Sequence, residues 1–115
     1  MYKDWAKLAN DLGALMRDTR KAIPETWGGF SQMAKGATTP GALDTKTKEL
    51  IAVGISIANR CDGCLAFHVR SAVEAGATRE EMLETVAVGL YMGGGPSAVY
   101  GSMAMEAFDQ AAAGK

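Results

Sequence analysis

Residues that start and stop helices punctuate this chain from one end to the other, and strand signals are nearly absent, which confines it to a bundle of helices. Trp5, Leu8, Leu12, Leu15 and Met16 recur at three- and four-residue steps and draw one apolar stripe along a first helix, from about residue 3 to 21. Pro24 suits a first helical turn and Gly36 an end, giving a short second helix over residues 24–35, weakened by Gly28-Gly29. A loop over residues 37–43 carries Pro40 and Gly41. Asp44 can cap a third helix running to about Ala58. Asn59 reads as the cap of a fourth, which runs to Ala75 and stops at Gly76. Thr78-Arg79-Glu80-Glu81 has the form of a capping box, so a fifth helix begins there and runs to about Met92. Gly93-Gly94-Gly95 breaks it as a hinge, and Pro96 begins a sixth that fades into Ala111-Ala112-Ala113-Gly114-Lys115. The expected fold is all-α with about six helices.

With 115 residues, 48% of them hydrophobic, and a net charge of -1, the chain suits one globular domain over residues 1–115. Lys and Arg alternate with Asp and Glu and form no basic run interleaved with aromatics, which argues against nucleic acid as a partner. Met1-Tyr2-Lys3-Asp4-Trp5 opens on charges and not on the apolar core of a signal peptide. The longest apolar stretch, residues 50–58, is far short of the roughly 20 needed to cross a bilayer, so no membrane partner is expected. A cytoplasmic protein follows as the expectation.

Residues 50–58 and 82–92 are apolar on more than one face, more than so small a domain can bury alone. A homo-oligomer is expected, with Gly54, Ala58, Ala87 and Gly89 letting neighbouring helices approach closely.

The chemistry concentrates in Cys61-Asp62-Gly63-Cys64-Leu65-Ala66-Phe67-His68. On one helix Cys61, Cys64 and His68 sit at i, i+3 and i+7 and project from one face. Two sulfurs one turn apart can close into a disulfide, and His68, a turn beyond Cys64, can take or return a thiol proton. With Asn59 as cap, Cys61 would stand in the first turn, where free amides and the helix dipole favour a thiolate. Glu49 would lie about 18 Å from Cys61 along a straight helix. A bend at Asn59 would let it swing toward His68 and orient the imidazole.

Glu49, Cys61, Cys64 and His68 together match a Glu-x11-Cys-x2-Cys-x3-His pattern, and here the chain resembles the alkylhydroperoxidase-D-like family of the wider carboxymuconolactone decarboxylase superfamily. The similarity covers about residues 30–105, including the apolar helix before the cysteines and Ala75-Gly76-Ala77-Thr78-Arg79-Glu80-Glu81 after them. By position, the resemblance implies that Cys64 is the peroxide-attacking thiolate, Cys61 the resolving cysteine, His68 the base and Glu49 its partner. It also implies an all-helical trimer or hexamer, a peroxide substrate and an external dithiol or thioredoxin-like reductant. No cofactor and no metal are expected. Gly63 stands where the family's well-studied peroxidase has a further His, which weakens the case for efficient peroxide turnover.

Other readings of these residues are a core-packed cysteine pair, a zinc site of two Cys, His68 and Glu49, a non-catalytic redox-sensing or partner-binding oligomer, and a decarboxylase-type enzyme. The superfamily's lactone decarboxylases generally lack the cysteine pair, which favours the thiol branch. The triple glycine lacks the Lys-Ser/Thr of a phosphate loop, and the methionines read as core or interface filler.

Overall fold

The structure, a computed structural model, describes residues 1–114. Six helices account for nearly all of them: α1 (Trp5–Ala22), α2 (Pro24–Thr38), α3 (Thr45–Ala58), α4 (Asp62–Glu74), α5 (Arg79–Gly93) and α6 (Gly95–Ala113). The caps explain most boundaries. Asp44 accepts from the Thr47 amide at 2.8 Å, and Thr78 and Glu81 form the reciprocal capping box at the head of α5.

Two boundaries depart from the sequence expectation. The second helix runs through Gly36 to Thr38, because the Thr39 amide still reaches the Lys35 carbonyl and the Thr38 hydroxyl bonds back to that of Ala34. Asn59 does not cap α4, because it closes the C-terminal end of α3. Arg60 then adopts a left-handed φ of 54°, its amide bonding Ile57 while that of Cys61 bonds Ser56. This 5→2 plus 6→1 pairing is a Schellman turn, made here without the usual glycine. The same pairing closes α4, where Gly76 (φ 94°) bonds Val73 and Ala77 bonds Ala72.

The core draws on α1, α3, α4, α5 and α6, centred on Val53, Ile57, Leu65, Val69 and Met82, all fully buried. Burying each such side chain contributes about 1.5–3 kcal/mol. α4 lies at the centre, packed by α1, α3 and α6, while α5 packs on α3 and α6. The segment ahead of α1 is tied to α6. Glu106 accepts from the amides of Tyr2 and Lys3 and from the Trp5 indole, and Gln110 accepts from the Trp5 amide and donates to the Lys3 carbonyl. Only the first part of the α1 stripe is covered. Trp5 is buried and Leu8 packs on the core, but Leu15 and Met16 are exposed, and α2 has no buried residue.

The two Schellman turns should respond differently to substitution. Gly76→Ala forces a β-carbon into the left-handed region and is expected to cost about 1 kcal/mol. Arg60→Gly relieves that strain and loses a similar amount to chain entropy, leaving stability within ~0.5 kcal/mol of the parent. Denaturant unfolding measures both, and equal losses would contradict this account of the turns.

Candidate active site

The turn at Arg60 reverses the chain and brings Glu49 of α3 beside His68 of α4, the helix whose head carries Cys61 and Cys64. Cys61 is the N-cap of α4, its Sγ 3.2 Å from the Cys64 amide nitrogen. Cys61 thus stands just outside the first turn, contrary to expectation, because Asn59 is used to end α3. Cys64 takes the place within that turn. Both sulfurs still lie at the positive end of the helix, where amides and dipole favour negative charge. The two are joined as a disulfide with Cα atoms 5.2 Å apart, and both residues are half-buried.

His68 lies one turn beyond Cys64, and its Nδ1 is 2.7 Å from Oε2 of Glu49 on α3. Their exposures give the pair a direction: the Glu49 side chain is 9% exposed and that of His68 is 39%. The carboxylate sits inside the bundle and the imidazole reaches toward solvent. With the Nδ1 proton donated to Glu49, Nε2 is left to accept a proton. A thiol, a base and a carboxylate that orients the base are the parts an activated nucleophile requires.

Sequence reasoning missed what surrounds the pair. The Lys3 ammonium forms an ion pair with Asp62, one of the two residues between the cysteines, and Tyr100 on α6 shares the same carboxylate. Lys3, through its hydrogen bond, is the main influence holding the Asp62 carboxyl below its ordinary range; Asp62 in turn pushes the Tyr100 phenol up. The other intervening residue, Gly63, lies against α1, where a β-carbon would come 2.7 Å from Leu12 Cδ1. A side chain there would require the end of the Leu12 side chain to shift. Asp62 is visible in the motif, but Lys3 is 59 positions away and no local pattern links them. Among the described residues, no group of three or more His, Cys, Asp or Glu converges to hold a metal ion.

Residues 24–108 match the carboxymuconolactone decarboxylase family. An uncharacterised protein of Cupriavidus necator is 42% identical over 89 residues, 77% of this chain and 79% of that protein. A second uncharacterised protein, encoded in the cox locus of Paracoccus denitrificans, is 31% identical over 84% of this chain and 87% of its own length. Among solved structures, a carboxymuconolactone decarboxylase family protein from Legionella pneumophila superposes with a TM-score of 0.92 and 45% identity, covering 94% of this chain and 96% of that one. A Thermotoga maritima member, whose description raises involvement in an antioxidative response as a possibility, gives 0.76 and 26% identity, covering 87% and 88%.

If His68 serves the thiols, His68→Ala should slow alkylation of the reduced protein about tenfold or more near neutral pH and much less at high pH, where thiolates form unaided. Glu49→Gln should act in the same direction but more weakly. Rate profiles of variant and parent that coincide throughout would leave His68 a packing residue.

Proposed function

This chain belongs to the carboxymuconolactone decarboxylase family, and within it we propose a thiol-dependent peroxidase working through Cys61 and Cys64. The observation that carries the reading is the disulfide at the head of α4 with His68 one turn on, its imidazole held by the buried Glu49 at 2.7 Å. The antioxidative link of the Thermotoga protein points the same way.

In the reduced protein, His68 takes the Cys64 proton and the thiolate attacks one oxygen of a peroxide ROOH. The O–O bond breaks, ROH leaves with the proton, and Cys64 becomes a sulfenic acid. The Cys61 thiol then attacks that sulfur, forming the disulfide and releasing water. A dithiol of the thioredoxin-like class returns two electrons and two protons, becoming a disulfide itself. Attack of that dithiol on Cys64 releases Cys61, whose sulfur beside the Cys64 amide makes the better leaving thiolate. Such a cycle suits the reducing cytoplasm; no helix of the described residues is long and apolar enough to cross a membrane.

Gly63, standing where the family's well-studied peroxidase has a further His, favours a second reading. Without a further imidazole there, the pair could cycle slowly as a redox sensor or partner-binding switch with no peroxide turnover. Stopped-flow peroxide consumption with excess dithiol decides between them. The enzyme reading expects many equivalents consumed per protomer and near-complete loss in Cys64→Ser. Consumption that stops at about one equivalent leaves the sensor.

The assembly we propose is a homo-oligomer, a trimer or hexamer by family resemblance. Ile51, Ile55, Val88 and Met92 are 47–76% exposed along a groove of about 720 Å³ between α3 and α5, floored by Gly54 and Gly89. Apolar faces of this size favour association. Light scattering at micromolar concentration should give several times the protomer mass, and Val88→Asp should lower it. A stable monomeric parent would remove this part of the proposal.

A further inference from the structure

We infer that Lys3 is a positioning residue for the thiol pair: carried by the segment ahead of α1, its ammonium seats on Asp62 between the two cysteines and offsets the repulsion that carboxylate exerts on a thiolate at either side. The inference rests on the reading of the pair as a redox centre and adds to it a residue outside the family-matched stretch of residues 24–108.

Asp62 sets two electrostatic demands against each other. As first residue of α4 it suits the helix dipole, yet it is also the sequence neighbour of Cys61 and two positions from Cys64. A nearby like charge disfavours thiolate formation, and thiolate is the form that reacts. Leaving Asp62 unpaired would therefore work against the positive helix end that helps both sulfurs. Lys3 supplies the cation that removes this conflict.

Lys3 differs from a lysine in an ordinary surface pair, because its backbone is fixed on both sides. Its amide donates to Glu106 at 2.9 Å, its carbonyl accepts from Gln110 at 2.7 Å, and Trp5 two residues on is buried with its indole on the same Glu106. These anchors fix the backbone that carries Lys3, so the pair is made without the further cost of ordering a free N-terminal segment. From the same N-terminal region, Leu12 closes on Gly63, so both residues between the cysteines are covered by the first turns of the chain. The other polar groups here are Tyr100 from α6, Tyr2 beside Lys3, Arg60 ahead of Cys61, and His68 backed by Glu49 from α3. Arg60 is exposed, and His68 acts on the next turn of α4, leaving Lys3 as the cation paired with Asp62.

The test is the pH profile of iodoacetamide alkylation on the reduced full-length protein. Lys3→Gln should slow the reaction roughly two- to fivefold near neutral pH, shift the midpoint upward and converge with the parent at high pH, the size expected of one partly exposed charge pair. Lys3→Arg should keep the parent profile. Asp62→Asn should shift it downward, and the double variant Lys3→Gln, Asp62→Asn should return within about twofold of the parent, since both charges are gone. A Lys3→Gln profile that coincides with the parent, whether or not the melting temperature changes, would overturn the inference, as would a double variant that stays as slow as Lys3→Gln alone. Because the readout is thiol reactivity, a parent that consumes no peroxide while Lys3→Gln still shifts the profile refutes the peroxidase and leaves this inference standing.

Discussion

Glu49 is the charged side chain that the described part of the bundle buries, and the geometry of the site depends on how that burial is resolved. A carboxylate taken out of water is costly unless paired, and the hydrogen bond to His68 Nδ1 supplies the partner. The bond requires α4 to fold back along α3, which the Schellman turn at Arg60 permits. It also fixes which imidazole nitrogen faces outward. One interaction thus joins α3 to α4 and holds the imidazole one turn beyond Cys64.

The N-terminal region stands in a similar relation to the cysteine loop from the opposite side. Its backbone is tied to Glu106 and Gln110 on α6, and from that anchor Lys3 and Leu12 meet Asp62 and Gly63. The glycine and the aspartate between the cysteines are thus matched to α1. A β-carbon on Gly63 would come 2.7 Å from Leu12 Cδ1, and His68 is the single histidine of the chain.

Much of this is legible in the amino-acid sequence alone. The caps at Asp44 and Thr78 and the stop at Gly76 are local signals, each a side chain or φ preference acting within a few residues, and each stands where expected. The i, i+3, i+7 spacing puts Cys64 and His68 one turn apart on one helix, with Cys61 just outside it as the cap, and a bend after α3 brings in Glu49. The turn at Arg60 escapes such a reading because an arginine in the left-handed region has no sequence signature, and Asn59 suits one helix end as well as the other. The Lys3–Asp62 pair escapes it because the two residues are 59 positions apart and meet only through the way α1 lands on α4 and α6. Long-range placement of a surface charge leaves no periodicity to read.

In the proposed cycle Cys64, served by His68 and Glu49, is the sulfur that meets peroxide, and Cys61 resolves it. Trapping the sulfenic acid distinguishes the two sulfurs. Reduced Cys61→Ser protein is exposed to peroxide in the presence of dimedone, and the adduct is located by peptide mass spectrometry, with Cys64→Ser treated in parallel. The expected result is an adduct on Cys64 in the first protein, diminished when His68→Ala is added, and little on Cys61 in the second. An adduct on Cys61 alone, or none in either protein, would contradict these roles.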